Sequence, residues 1–367
     1  MTTALATDQF SQTIRQAVAA GKPLRLRGGG SKDFYGQALA GAVLDTRAHS
    51  GIVDYEPTEL VISARCGTPL AEIEAALAEK NQMLAFEPPH FGPGATIGGV
   101  VASGLSGPRR AAQGLYSGAV RDHVLGAKLM NGEGVALSFG GTVMKNVAGY
   151  DVSRVLAGSL GTLGLILEVS LKVLPRPVAT RTLRLALDQQ HALNKLNEWG
   201  GQPLPIGASA WCDGELALRL EGAAAAVKSA ASALGGEAVA DAEAGAYWQG
   251  LREQTDVFFA GPAGGETPLW RLSLPSTAAP VTLPGRQLIE WGGAQRWFRT
   301  DAPEGEVRAA AAAAGGHATL FRAGALGKDG LSVFTPLPPV LAGIQANLKK
   351  AFDPHGIFNP GRLFREF

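Results

Sequence analysis

The chain has 367 residues, 46% of them apolar and 18% charged, which fits one large or two packed globular domains and excludes general disorder. Thirty-three basic residues against 32 acidic ones leave a net charge of +1, so no single-sign field exists to hold nucleic acid or an anionic membrane. The 49 glycines are about twice the usual ~7% share, and glycine is used where backbone turns sharply or approaches a ligand closely.

In chain order, the first sixteen residues carry Asp8 and Arg15 and no apolar run, so they do not read as a signal peptide. Short β-type runs follow at 23–27, 51–55 and 60–64. A helix is expected over 69–80, with Leu70, Ile73 and Leu77 on one face, Thr68 as N-cap and Pro69 at the first helical position. Glu72, Glu74 and Glu79 then read as charges on its solvated face. The uncharged stretch from Pro88 to Pro108 holds six glycines and four prolines, so it reads as a Gly-rich loop and not as a membrane span. Ile97, Val100 and Val101 are expected to pack inward there, leaving Thr96, Gly98, Gly99 and Ser103 to offer donors on the other side. Further strands are expected at 125–130, 135–138 and 165–173, the last as a sheet edge facing a flat ligand. Pro175-Arg176-Pro177 marks a domain boundary.

Beyond it a pattern repeats. A strand at 216–220, an Ala-rich helix at 223–234 and a Gly-Gly stop are echoed by a strand at 297–300, a helix at 304–314, a second Gly-Gly and a strand at 317–322. Such units suggest an antiparallel sheet with helices on one face, in the ferredoxin-like manner. The fold class is therefore α+β. Cys66 and Cys212 form no CxxC pair and cannot by themselves hold an iron–sulfur cluster, and no metal site is expected; the default reading is a reduced, cytosolic protein.

Three segments carry the chemistry. In residues 25–32 (RLRGGGSK), three consecutive glycines after a strand bare backbone N–H groups, and Ser31 adds a hydroxyl; a bend there makes an anion-binding nest. The spacing is neither a Walker A loop nor a Rossmann fingerprint. Residues 88–107 offer a second close backbone approach, and 149–168 a glycine-rich turn leading into a strand. RGGGS at 27–31, GATIGG at 94–99, KNVAGYD at 145–151 and GSLGTLG at 158–164 together resemble, in order and spacing, the FAD-binding domain of the vanillyl-alcohol-oxidase or p-cresol-methylhydroxylase (PCMH) type. A C-terminal echo lies at 353–364 (DPHGIFNPGRLF). Within that family the chain most resembles the small FAD-binding subunits of bacterial glycolate oxidases, also called glycolate dehydrogenases.

The resemblance implies a two-subdomain PCMH-type FAD-binding domain over 1–176, a smaller ferredoxin-like α+β cap over 177–350 and a segment at 351–367 that returns to the FAD domain. It implies that Gly28, Gly29, Gly30, Ser31 and Lys32 bind the FAD pyrophosphate. Gly94, Ala95, Thr96, Gly98, Gly99, Ala102, Ser103 and Gly104 would contact the pyrophosphate and the flavin end. Gly161, Gly164 and Ile166 would lie along the adenosine half, residues 145–151 against the ring-bearing part, and Asn359 near the ring.

The chain departs from its relatives in four ways. Lys32 stands where covalent flavoproteins of the family often have His, so FAD is expected to be noncovalent. Leu160 replaces a common Glu. No HxxHGDGNxH-like motif is present among the six histidines, and the part after residue 175 is shorter than in self-sufficient dehydrogenases. The catalytic residues are left open. His90 either faces flavin or substrate, or is a turn histidine bonded to local backbone. Arg322 either holds a substrate carboxylate or makes a surface salt bridge, and Lys145 belongs to the polar pair of the KNVAGYD motif. The expected role is an FAD-carrying subunit of a multi-subunit glycolate (2-hydroxy acid) dehydrogenase. Its partners would be a larger homologous FAD-binding subunit bearing the substrate site and an iron–sulfur subunit, with no nucleic acid and no direct membrane insertion. The alternatives are a stand-alone FAD-dependent hydroxy-acid or alcohol oxidoreductase and a flavin-fold scaffold without redox activity. Attachment to the inner face of the cytoplasmic membrane would come through partners.

Overall fold

The computed structural model describes residues 3–112, 118–142, 151–260, 267–328 and 330–366. An amphipathic helix, α1 (Thr3–Ala20), opens the chain, and two parallel strands follow, β1 (Leu24–Arg27) and β2 (Ala42–Asp45). The next layer is a five-stranded antiparallel sheet built from β3 (Ile52–Glu56), β4 (Val61–Arg65), β6 (Val124–Met130), β7 (Ala136–Gly140) and β8 (Leu165–Lys172), ordered β3-β4-β8-β6-β7. A two-stranded ribbon pairs β5 (Gln82–Met83) with β9 (Leu174–Pro175).

Strand β8 is thus central and not an edge, which explains its almost continuous run of buried residues: both of its faces are covered. Leu165 and Leu167 join Phe10 and Ile14 of α1. Ile166, Val169 and Leu171 join Leu70, Ile73 and Leu77 of α2 (Leu70–Glu79) and Ile97, Val100 and Val101 of α3 (Ile97–Ser103). The inward packing expected of Ile97, Val100 and Val101 is observed, but the stretch is a helix and not a loop. Thr96 is its N-cap, accepting from the Gly99 N–H at 3.3 Å. Thr68, by contrast, does not cap α2. Its hydroxyl accepts from Gly51 N–H and donates to the Arg65 carbonyl, while Leu70 N–H finds the Ala95 carbonyl at 2.8 Å. Short turns α4 (Val120–His123) and α5 (Val152–Val155) complete this half.

The second sheet has eight strands: β10 (Ala179–Ala186), β11 (Ile206–Cys212), β12 (Glu215–Gly222), β13 (Glu237–Ala238), β14 (Leu269–Ser273), β15 (Arg286–Glu290), β16 (Gln295–Arg299) and β17 (His317–Arg322). Their order, β13-β10-β12-β11-β15-β16-β14-β17, is antiparallel throughout. With α6 (Gln189–Gly200) after β10 and α7 (Ala224–Leu234) after β12, the first four strands form a complete β-α-β-β-α-β unit of ferredoxin-like order. The last four repeat that order in mirror sequence, with α10 (Glu304–Ala313) before β17 and a loop in place of the other helix. The two units meet along β11 and β15.

Alternation along β12 sets the two faces: Leu216, Leu218 and Leu220 pack under α6 and α7, while Ala217 points the other way. Helices occupy both faces, not one. On the Ala217 side lie α8 (Asp241–Glu253), through Trp248 and Leu251, and α9 (Val257–Ala260), with Tyr35 and Leu105 of the first half. Helix α8 carries Gly245 and Gly250, which lower its helix propensity and hide its apolar Ala244, Trp248 and Leu251 spacing. A last helix, α11 (Pro339–Phe352), leads into the C-terminal segment, where Leu24 pairs with Phe358.

Candidate functional site

Strand β1 delivers the chain into residues 28–31, and the N–H groups of these four residues donate to no protein acceptor among the described residues. Gly30 has φ +74°, and Asp33 N–H returns to its carbonyl at 3.0 Å, closing the bend. Asp33 also receives Arg25 and, at 2.8 Å, Arg27, so two cations brace the base of the loop. The glycines are needed here: a Cβ on Gly29 would run into the Gly94 carbonyl, because the two loops cross backbone to backbone.

Beside this loop runs an open cleft. One wall is Leu26, Arg27, Gly28 and Thr46; α3 contributes Gly98, Gly99 and Ala102 above Cys66; the turn into β8 contributes Leu160, Gly161, Gly164, Leu165 and Ile166. Asn359 closes the end and ties the walls together. Its Oδ1 accepts from Leu26 N–H at 2.8 Å and its Nδ2 donates to the Leu160 carbonyl at 2.6 Å. Gly161 has φ +72° and lies so close that a Cβ would meet Asn359 Nδ2 at 2.7 Å. Burial pushes the Cys66 thiol up to about 12, so it lines the cleft as a neutral apolar group.

Of the residues expected to contact cofactor, Gly28, Gly98, Gly99, Ala102, Gly161, Gly164, Ile166 and Asn359 line this one cleft. Gly29, Gly30 and Ser31 continue the loop at its edge. Gly94, Ala95 and Thr96 lie behind: Gly94 against Gly29, Ala95 on the start of α2, and Thr96 between Gly28 and the α3 cap. The Ser103 hydroxyl is spent on the Val100 carbonyl at 3.0 Å, and Gly104 ends α3 in the left-handed region against Gly158. Lys32 turns away to the His90 carbonyl at 3.2 Å and over the Phe91 ring. Burial lowers it to about 8.

His90 does not reach the cleft. Its ring pairs with Glu74 at 2.8 Å, and its N–H is held by Glu253, so Glu74 is no solvated face charge but part of a junction with Arg252 between the two halves. Arg322 makes no surface salt bridge among the described residues. It lies over Phe34, 3.9 Å from the ring centroid, and bonds Gln254, and burial lowers it to about 10. Lys145 falls outside the described residues.

Three features escaped sequence reasoning because each depends on at least one partner far away in the chain. The Arg362 guanidinium is buried and bonds the carbonyls of Lys32, Asp33, Tyr35 and Gln37. Lys328 holds the carbonyls of Phe34 and Gly36. Buried Lys349 binds Asp353 at 2.6 Å, the Thr162 carbonyl at 2.7 Å and the Phe358 carbonyl at 2.8 Å, fastening the C-terminal segment to the turn that lines the cleft.

Comparison with known proteins agrees with this geometry. The family model described as "FAD binding domain" matches residues 3–140. Glycolate oxidase subunit GlcE of Escherichia coli (strain K12) is 50% identical over 97% of this chain and 96% of its own. The chain belongs to the GlcE family. Two more distant relatives match through about half of this chain. Glycolate oxidase subunit GlcD of Bacillus subtilis (strain 168) is 29% identical over 48% of this chain and 37% of its own. A D-lactate dehydrogenase of Archaeoglobus fulgidus is 27% identical over 54% and 44%. Among solved structures, alkyldihydroxyacetonephosphate synthase superposes with a TM-score of 0.64 over 96% of this chain and 75% of that one, at 14% identity, and so shares the fold.

This member of the GlcE family thus carries an FAD-binding domain, and the residues lining its cleft are chemically suited to the pyrophosphate part of such a cofactor. The walls are glycine and alanine backbone, the free N–H groups of residues 28–31 suit a pyrophosphate, and Arg25 and Arg27 stand at the base of that loop. At Gly99 only Thr96 Oγ1, 3.3 Å away, would meet a Cβ, which leaves the middle of the cleft wall bare.

Proposed function

We propose that this chain is the FAD-carrying small subunit of a multi-subunit dehydrogenase that oxidises glycolate to glyoxylate. The observation that carries the reading is the bare-backbone cleft between residues 28–31, α3 and the 160–166 turn, in a chain 50% identical along almost its whole length to a glycolate oxidase subunit. FAD held here would supply redox chemistry, taking up and passing on electrons within the complex. The chain's own residues bind and orient it. The amides of 28–31 hold the pyrophosphate, Arg25 and Arg27 offset its charge, and Asn359 fixes the spacing of the cleft walls. With Lys32 where covalent relatives have His, the flavin is held noncovalently.

On this reading residues 1–176 carry the cofactor, 177–350 cap it and 351–367 return to lock the cleft. The larger flavin subunit carries the main substrate site and an iron–sulfur subunit passes electrons onward. No helix among the described residues is long and apolar enough to cross a membrane. On this reading, attachment to the inner face of the cytoplasmic membrane runs through those partners.

Co-purification of the full complex and of this chain alone tests the reading. The chain alone is expected to show a flavin absorption band that denaturation releases, with negligible glycolate turnover that appears on adding the partners. Failure to acquire a flavin band after reconstitution, or robust turnover by the single chain, contradicts it.

A further inference from the structure

Strand β10 is only half covered along its outer edge. Its inner edge pairs with β12 over the whole strand, Ala179–Ala186. On the outer edge β13 reaches Leu183 and Arg184, and one more bond joins Val239 N–H to the Thr182 carbonyl at 3.0 Å before the chain turns into α8. In an antiparallel ladder the N–H and C=O of every second residue point to the same side. Thr182 points outward, so Thr180 does too. Glu221, which stands opposite Thr180, agrees with this by donating its N–H away from β10, to the Pro205 carbonyl at 2.8 Å. The N–H and C=O groups of Val178 and Thr180 meet no protein partner among the described residues. Such an edge is a template for another strand. Edges are commonly blunted by proline and charge, and Pro177 and Arg181 stand at the two ends of this one; between them, however, Val178 is 86% exposed, which blunting does not explain.

The open edge borders a groove at the seam between the two halves. A cavity of about 660 Å³ lies between Thr180, Thr182 and α8, and past Glu221 and Arg252 a second one of about 360 Å³ lies beside Arg176 and Pro177. The carboxylates in its floor are spent: Glu87 on Arg219, Glu221 on Arg109 and Arg219, and Glu74 on Arg252. Asp241, at the other end, sits in the first turn of α8, where the helix dipole favours an acid. Arg176 and Arg181 are exposed, and neither has a carboxylate within ion-pair distance among the described residues; Arg176 donates to the Gln82 carbonyl at 3.3 Å. Two free cations thus flank a free main-chain edge and an exposed valine.

We propose that the outer edge of β10 at residues 178–182 docks an extended, acidic segment of a partner subunit, which joins the eight-stranded sheet as an added strand in line with β13. Main-chain bonds to Val178 and Thr180 hold the segment, an apolar side chain covers Val178, and carboxylates on either side meet Arg176 and Arg181. The site is separate from the dinucleotide cleft and needs no flavin. It rests on the proposed function for the existence of partner subunits.

Amide hydrogen exchange on the full-length chain, alone and co-expressed with the larger flavin subunit and the iron–sulfur subunit, tests it. Exchange at residues 178–182 is expected to slow about tenfold or more on assembly. Thr180→Pro removes an outward N–H and leaves the ladder with β12 intact, so it should weaken assembly about tenfold or more while the isolated chain keeps its urea midpoint and its FAD affinity. The double variant Arg176→Glu, Arg181→Glu should weaken assembly as much and abolish its sensitivity to added salt. Should Thr180→Pro fail to fold, the charge reversal decides alone. A complex that forms and oxidises glycolate while 178–182 still exchange freely, or that assembles equally well with the charge-reversed chain, overturns this proposal and leaves the proposed function standing. A wild-type chain that assembles with neither subunit sinks both. Self-association of the chain alone that protects the same amides gives the edge to a second copy and overturns the proposal.

Discussion

Asn359 offers the sharpest perturbation of the cleft, because one side chain spans two of its walls. It is 7% exposed, has φ +42°, and bonds both Leu26 N–H and the Leu160 carbonyl. Asn359→Ala removes both bonds, strands a donor on β1, and places a Cβ-bearing residue without a compensating side chain in the left-handed region. Two lost bonds at about 1 kcal/mol each, plus about 1 kcal/mol for the conformation, give roughly 3 kcal/mol of destabilisation. Asn359→Asp keeps the acceptor for Leu26 but opposes a carboxylate oxygen to the Leu160 carbonyl. It should therefore lose stability through the turn while β1 keeps its partner. Urea unfolding measures the stability, and flavin fluorescence quenching measures cofactor affinity at a denaturant concentration where each variant is folded. Both variants should have a lower midpoint, and FAD affinity should fall about tenfold or more in Asn359→Ala. A fully stable Asn359→Ala chain with unchanged FAD affinity would refute the view that this residue sets the cleft.

Two other predictions concern buried charge. Burial raises Glu290 to about 7 from 4.5, so its contribution to stability is complete below about pH 4.5 and is lost as pH rises through 7. A shift of that size corresponds to about 3 kcal/mol, and Glu290→Gln should flatten the decline between pH 5 and pH 8 in urea melts; an unchanged slope contradicts the assignment. Lys349→Met leaves the Asp353 carboxylate buried without its cation and should cost about 3–5 kcal/mol, with Asp353→Asn in the same chain recovering much of it; equal melting of Lys349→Met and wild type would show that the pair is not fastening the C-terminal segment.

What was legible in the sequence was local. The α2 stripe, the Ala-rich helices stopped by glycine, strand β17 and the inward packing of Ile97, Val100 and Val101 all follow from periodicity and capping within a dozen residues. The glycine runs marked the cleft because three of them supply its walls. What was not legible depends on distant partners. Nothing near Asn359 announces Leu26, and nothing near Arg362 announces the carbonyls of residues 32–37. Thr68 looked like a cap because Ser or Thr before Pro at a helix start suits one, yet the β3–β4 hairpin presents Gly51 and Arg65 to it first. His90 and Glu74 seemed independent until α8 brought Arg252 and Glu253 between them. Strand β8 read as an edge because a sequence does not say how many strands flank it.

On the proposed reading the bare wall at Gly99 faces the cofactor. Gly99 sits within α3, where an added Cβ meets only Thr96 Oγ1, at a tight 3.3 Å, so the helix-propensity gain of Gly99→Leu, up to about 1 kcal/mol, is set against a small shift of the capping hydroxyl, and stability should stay close to wild type. The direct measurement is FAD titration of the full chain carrying Gly99→Leu, alongside its urea midpoint. A stable protein whose FAD affinity falls about tenfold or more is the expected result. A stable protein that binds FAD as tightly as wild type would contradict the placement of the cofactor in this cleft.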